Sequence, residues 1–396
     1  MKKSKFFKKT PSNLLLKEKS KLIKINYLFL TIFVTIVISL SYVFIFKYNK
    51  NQNGKENIKI NVIKSKSFLS KKSMESKEFS EEFINELKNI LKDDELIENE
   101  IMDKHTTFRI GGPARFFAKP KKIEQIGELI KLCNKYNVYY FILGNGSNLL
   151  VSDTGYKGVI IQIHEHNFAN LEVKKKNKNT YELTVGAGML MKNLAIETCL
   201  LSLTGLEDII DIPGTVGGGV IMNASFRGTG LRIPLEKVKV ISPEGKLLEL
   251  TKEECGLKWR GSMLKEKKYA VIEATFILKK GDQLVIQKSM TENTRMRYER
   301  QPMYFRSAGT FFIWNKKRDG GLYDKYVETN LVSYKVGDCM IYTDNISFIV
   351  NLGNGNANEV MEIVNHVGEI FKKKYNIEMR NEVVVIGTIK GVDYYF

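Results

Sequence analysis

Histidine and cysteine are scarce in this chain, four of each among 396 residues, and no cysteine belongs to a CxxC pair. Cys133, Cys199, Cys255 and Cys339 are too scattered for a disulfide framework or a zinc site, so they are expected to be buried or incidental thiols in a reducing compartment. His164 and His166 share an HEH stretch without a third ligand nearby, which reads as a solvated turn; no metal site is signalled. Neither glycine-rich loop is a dinucleotide fingerprint or a P-loop, since GNGSNL lacks the third glycine of GxGxxG and no lysine follows it. No internal repeat is present.

Arginine is absent from the first 80 residues, which carry 18 Lys and four Glu, a surplus of 14 out of the net +18. The remainder is close to balance, which argues against a groove for nucleic acid, because that would need Arg and Lys clustered within the fold. The lysines instead flank YLFLTIFVTIVISLSYVFIF, residues 27–46, an uncharged run long enough to cross a bilayer as a helix. It ends in FKYNKNQN without a small-residue cleavage site, so it is expected to persist as an anchor. Nine Lys precede it and eight lie between Lys47 and Lys72, leaving the positive-inside rule little asymmetry. Residues 1–26 read as a basic tail of cytoplasmic type, and 47–79, rich in Lys, Asn and Ser, as a solvated tether.

The fold is expected to start near residue 80, where Phe83, Leu87, Ile90 and Leu91 recur at helical spacing behind Ser80 as N-cap. Strands are expected in RFFAKP, YYFILG, GVIIQI, YELTVGAG, VKVISPEG, KLLELT and YAVIEATFILKKG, and helices in KIEQIGELIKLCNKYN and MKNLAIETCLLSL. This is an α+β pattern. A second block opens with a helix from about Gln283 to Gln301 and closes with a long helix before the strand NEVVVIGTI, so two globular units joined near residue 285 are expected.

Three segments invite a functional reading: TTFRIGGPA (106–114), LGNGSN (143–148) and IPGTVGGGVIMNA (212–224). Glycine loops can turn backbone N–H groups inward as an anion nest, with Ser147 or Thr215 adding hydroxyl donors. From chemistry alone, a shared nucleotide site and a set of tight turns both remain open. The same holds for Thr310 in RSAGTFF, either a catalytic hydroxyl or an ordinary loop residue before a strand.

Taken in order with LKWRGS, RQPMYF, AGTFF and RNEVVVIG, these segments resemble the UDP-N-acetylenolpyruvoylglucosamine reductases (UDP-N-acetylmuramate dehydrogenases), in their shorter subclass, from about residue 85 onward. The membrane run lies outside that pattern. The resemblance implies an FAD-binding fold of the vanillyl-alcohol-oxidase or PCMH type over 80–284 and an α+β substrate domain over 285–396. It implies NADPH-dependent, FAD-mediated reduction of the enolpyruvyl ether of UDP-N-acetylglucosamine to UDP-N-acetylmuramate, in peptidoglycan precursor synthesis.

Carried over, Gly144, Asn145, Gly146, Ser147 and Asn148 bind the FAD phosphates. Pro213, Gly214, Thr215, Gly217, Gly218 and Asn223 lie at the cofactor, and Thr107, Arg109, Gly111 and Gly112 brace its site. Arg260 and Glu382 stabilise an enolate, Thr310 occupies the proton donor's place, and Arg300, Gln301 and Lys325 are the substrate candidates. Because NADPH and UDP-sugars are cytosolic, the catalytic domain is expected on the cytoplasmic face, with cell-wall synthesis enzymes as possible partners. Threonine stands where the family has serine, and Tyr334, Asp338, Tyr342 and Asn345 depart from its substrate segment. Those departures leave two other readings open: a catalytically impaired flavin scaffold at the membrane, or a related flavin oxidoreductase with another substrate.

Overall fold

Phe83 donates its N–H to Ser80 Oγ at 3.2 Å, so the expected cap opens α1 (Glu81–Ile90) and buries Phe83 and Leu87. The computed structural model describes residues 79–226, 228–314 and 320–394. The expected membrane run at 27–46, with its tail and nearly all of its tether, lies outside the described residues. Among the described residues no helix is long and apolar enough to cross a membrane.

A first sheet is built from β1 (Leu96–Ile101), β2 (Pro113–Ala118), β3 (Tyr140–Leu143) and β5 (Tyr156–Gln162), in the order β1-β2-β5-β3. Its β2–β5 and β3–β5 pairs are parallel, and α2 (Ile123–Lys135) carries the crossover between β2 and β3. β4 (Leu149–Val151) leaves this sheet for a partner at the far end of the chain. A second, antiparallel sheet takes β6 (Leu171–Lys175), β7 (Thr180–Gly186), β8 (Leu235–Ile241), β9 (Leu247–Thr251) and β10 (Ala270–Lys280) in the order β9-β8-β10-β7-β6, with Leu203–Thr204 also on β10. Between β7 and β8 run α3 (Met191–Leu200) and the short α4 (Val216–Ile221). Side chains such as Phe116, Ile161, Leu183, Val238 and Phe276 close one core under both sheets. The expected strands fall in place; polar β1 and β6 carry no clear alternation and are additional to the sequence reading.

Asp282 caps α5 (Gln283–Arg300) by accepting the N–H groups of Leu284 and Val285. Beyond it come β11 (Arg306–Thr310), β12 (Phe312–Ile313), α6 (Leu322–Glu328), β13 (Cys339–Ile341), β14 (Phe348–Asn351), α7 (Ala357–Tyr375), β15 (Arg380–Asn381) and β16 (Val384–Ile389). β14 lies between β11 and β13, and β12 pairs with β15. The second core draws on this half and on Phe108, Ile110 and Leu150 from the first. All four cysteines are buried thiols, and burial pushes Cys133 and Cys339 up to about 12. His164 stands at the N-cap position of a short helix, Glu165–Phe168, so the HEH stretch expected as a solvated turn opens a helix instead.

Two long-range links bind the halves. β16 runs parallel to β4, pairing Val384 with Leu149 and Ile386 with Val151. Asp153, just past β4, accepts the N–H groups of Ala357 and Asn358 at 2.7 and 3.1 Å and so anchors the start of α7 from the other half. Asp153→Ala is expected to destabilise the protein by roughly 1–2 kcal/mol, the usual cost of losing a charged helix cap, read as a lowered urea midpoint at unchanged slope. An unchanged midpoint would contradict this role.

Candidate active site

The two glycine loops meet because each lacks the atoms that would hold them apart. A Cβ on Gly144 would stand 2.5 Å from Thr215 Oγ1, and one on Gly214, at φ +126°, would stand 2.9 Å from Ser147 Oγ. Ser147 Oγ donates to the Pro213 carbonyl at 2.9 Å, tying one loop to the other. That bond spends the hydroxyl proton which the sequence reading offered to a pyrophosphate. Thr215 accepts the Gly218 N–H as N-cap of α4, and the N–H groups of Val216 and Gly217 go to the carbonyls of Met189 and Ala187, so these three donors of the second loop are engaged within the protein. In the first loop, among the described residues, the N–H groups of Gly144 to Asn148 have no protein acceptor. Among the described residues the first loop therefore has more backbone donors without a protein acceptor than the second, and the two loops pack against each other.

Both loops line a cavity of about 560 Å³, which also receives Thr107, Arg260, Lys265, Arg297, Gln301, Thr310 and Glu382. Thr107 donates its hydroxyl to the Ser307 carbonyl at 2.7 Å and its N–H to Gly146, holding β11 against the nest. Thr310 sits half-buried at the end of β11, after Gly309 at φ +81° breaks the register with β14. Phe311 and Phe312 behind it are buried, so the strand end cannot swing.

Glu382 lies in the short link between β15 and β16. Its N–H donates to the Phe311 carbonyl at 2.8 Å, its carbonyl accepts from Asn148 Nδ2 at 3.1 Å, and the next strand pairs with β4. Its carboxylate lies 3.3 Å from Arg260 Nη1, with side chains 12% and 28% exposed respectively, low enough for the pair to escape most solvent screening. Burial raises the Glu382 pKa, and Arg260, then Lys265, oppose that rise. Burial in turn lowers the Lys265 pKa.

Arg260 is itself held in the left-handed region, at φ +57°. Two bonds fix its segment to the end of α4: Asn223 Nδ2 to the Lys258 carbonyl at 2.8 Å, and Ser262 Oγ to the Ile221 carbonyl at 2.7 Å. Asn223 thus positions Arg260 and does not line the cavity.

Arg109, Gly111 and Gly112 also stay outside the cavity. Arg109, at φ +55°, donates to the carbonyls of Asp103 and Lys104, while the two glycines admit close approach of Met102, Val151 and Asp153. Arg300 is exposed at the end of α5; it is Arg297, one turn earlier, that faces inward. Lys325 lies 4.6 Å from the Tyr375 ring centroid, between α6 and α7, away from the cavity. Lys265 and Arg297 escaped the sequence reading. The one available signal for Lys265 was its place a helical turn after the capping Ser262. Tyr334, Asp338, Tyr342 and Asn345 serve internal contacts: Tyr334 stacks on His366, Asp338 accepts the Asn354 N–H, Tyr342 meets Asp344, and Asn345 donates to the Arg300 carbonyl.

Known proteins resemble this chain in sequence and in fold. Residues 114–251 match the FAD binding domain family, and residues 301–386 match the C-terminal domain of UDP-N-acetylenolpyruvoylglucosamine reductase. A reductase of that name from Lachnoclostridium phytofermentans is 37% identical over 77% of this chain and 97% of its own. One from Clostridium novyi is 35% identical over 76% and 95%. The crystal structure of a UDP-N-acetylenolpyruvylglucosamine reductase from Thermus caldophilus superposes with a TM-score of 0.61 at 30% identity, over 74% of this chain and 98% of that one.

The raised Glu382 pKa has a signed consequence for stability. A group whose folded value exceeds its unfolded one contributes stability that is fully present below the unfolded value and lost as pH rises through the folded value. The stability of the wild type relative to Glu382→Gln should therefore fall across a window that opens near the ordinary 4.5 and extends above it. Lys265→Met, removing a charge that opposes the rise, should move that window further up. Urea midpoints over a pH series check both; a difference that is flat or grows with pH would contradict them.

Proposed function

The chain belongs to the UDP-N-acetylenolpyruvoylglucosamine reductase family, and from that membership we propose how its own cleft carries out NADPH-dependent, FAD-mediated reduction of UDP-N-acetylglucosamine enolpyruvate to UDP-N-acetylmuramate. One observation carries the assignment of roles: Arg260, Thr310 and Glu382, from three remote segments, line the same cavity as the LGNGSN nest. The chemistry of that nest fits a dinucleotide, because five successive backbone N–H groups lack an acceptor among the described residues and Gly144 and Gly146 leave no Cβ in the way. The residues that would hold FAD are Gly144 to Asn148 at its phosphates, and Pro213, Gly214, Thr215, Gly217 and Gly218 at its ring. When bound, FAD supplies the relay of hydride from NADPH to the enolpyruvyl ether.

The protein's own groups handle the charge and the proton. Reduction at the vinyl carbon builds negative charge on the adjoining carboxylate, and the Arg260 guanidinium is placed to take it. A second carboxylate beside that charge would repel it, but Glu382, with its pKa raised by burial, can be protonated once an anionic substrate engages Arg260, and then donates a hydrogen bond. Thr310 Oγ1 delivers the proton to the α-carbon. Its β-branch restricts χ1, so the buried phenylalanines behind it help to set the hydroxyl's aim. The family's altered substrate-segment residues Tyr334, Asp338, Tyr342 and Asn345 do not line the cavity, so they leave this arrangement intact.

We assign 80–284 to FAD binding and 285–396 to the substrate. Residues 27–46 we assign to a single membrane anchor that holds the enzyme on the cytoplasmic face, near the cell-wall enzymes that use its product. The uncharged length of that run and the cytosolic location of NADPH support the assignment. Protease treatment of intact spheroplasts should leave the catalytic domain uncut; digestion from outside would overturn the topology.

NADPH oxidation by the FAD-loaded protein should depend on the enolpyruvyl UDP-sugar. Thr310→Val should lower kcat by about 10²–10⁴, the usual contribution of a general acid, with FAD retained, while Thr310→Ser should keep or raise it. A valine variant as fast as the wild type would remove Thr310 from the mechanism.

A further inference from the structure

Arg297 is the one cavity-lining arginine whose burial the reaction above does not explain. It is 5% exposed on the last turn of α5, and its Nε has no hydrogen-bond partner among the described residues. The carboxylate that acts on it, Asp211, is already engaged: Lys192 Nζ stands 3.1 Å away, and Thr294 Oγ1 donates to it at 2.6 Å. The Arg297 guanidinium carbon lies 5.2 Å from the Phe226 ring centroid, so an aromatic face is its nearest recorded partner. Burial pushes its pKa down to about 10, which still leaves it cationic at neutral pH.

A buried cation compensated only by a shared carboxylate and an aromatic face is among the costlier features a fold can retain, and an apolar side chain of similar length would pack there without that cost. A wall of a ligand cavity offers a compensation from outside the chain: an oxyanion that accepts from the guanidinium when it binds. Among the described residues the cavity carries Arg260, Lys265, Lys268 and Arg297 against the single carboxylate Glu382, an imbalance suited to an anion. The position of Arg297 narrows which anion. It stands one turn before the end of α5, and Gln301 to Ser307 lead from there directly to the Thr310 strand, so a group held at Arg297 is fixed relative to the Thr310 hydroxyl. A substrate that must present one carbon to that hydroxyl needs such a clamp.

We propose that Arg297 is a substrate-positioning residue that receives an oxyanion of the UDP-sugar, its diphosphate or its enolpyruvyl carboxylate. The inference rests on the function assigned above. Removing the cation should harm binding and spare the fold, the opposite of what a structural arginine does.

The test compares wild type, Arg297→Met and Arg297→Lys as full-length FAD-loaded proteins. Arg297→Met should raise KM for the enolpyruvyl UDP-sugar by about tenfold or more while kcat changes by less than about threefold and KM for NADPH stays put. Its ligand-free thermal midpoint should equal or exceed that of the wild type, and Arg297→Lys should recover part of the sugar affinity. Loss of the UDP-induced midpoint shift in Arg297→Met assigns the anion to the diphosphate; a retained shift with the raised KM assigns it to the carboxylate, and both support the proposal. An unchanged sugar KM, a rise confined to the NADPH KM, or a lowered ligand-free midpoint restored by lysine would each overturn it. A wild type that neither turns the sugar over nor binds UDP would overturn the functional reading along with it.

Discussion

Everything in the cleft depends on one short parallel pairing, in which β16 near the end of the chain lies against β4 just after the glycine loop. The Val384 N–H donates to the Asn148 carbonyl, and Asn148 Nδ2 returns a bond to the Glu382 carbonyl, so the loop that presents backbone donors and the strand that presents the carboxylate are one hydrogen-bonded unit. Glu382 is then pinned from its other side by the Phe311 carbonyl, which fixes it beside Thr310. Parallel strands need a crossover, and here the crossover is more than two hundred residues of chain that include the whole second sheet and most of the second core. A site assembled this way cannot form before the whole fold does.

The electrostatics of the cleft follow from that enclosure. Arg260 and Glu382 are shielded enough to influence one another strongly, and Lys265 adds a second positive charge toward the same carboxylate. With Arg297 behind them the cations outnumber the anions, which is costly in an empty protein and useful to one whose ligands carry phosphates and carboxylates. The glycine loops divide the remaining labour. Among the described residues one has five successive N–H groups without a protein acceptor, while the other gives those of Val216, Gly217 and Gly218 to Met189, Ala187 and Thr215.

Much of this could be read from the chain. The Ser80 cap, the strand runs and the ordered motifs placed Arg260, Thr310 and Glu382 without coordinates, because capping and turn chemistry are local and the motifs are long. What escaped was decided by register or by distance. Arg295, Arg297 and Arg300 lie on a helix with little amphipathic signal, and only the direction in which α5 packs makes Arg297 the inward one and Arg300 the exposed one. Lys265 is one lysine among many, marked only by a cap whose partner lies elsewhere in the fold. Asn223 and Ser147 sit in glycine-rich motifs, which suggested ligand contacts; their polar atoms instead tie protein segments together. β1 and β6 alternate poorly because they pair at sheet edges and need no second buried face.

The central claim is that this cleft turns over the enolpyruvyl UDP-sugar, with hydride supplied from NADPH through FAD and the proton supplied by an exchangeable hydroxyl. A single turnover in D₂O tests it most directly: protein whose FAD has been reduced by NADPH without oxygen is mixed with the sugar, flavin reoxidation is followed, and the deuterium positions in the product are read by NMR. The account predicts reoxidation on adding the sugar and a lactyl ether carrying one solvent deuteron at its α-carbon. FAD that stays reduced in the presence of the sugar, or a product with no solvent deuteron at that carbon, would contradict it.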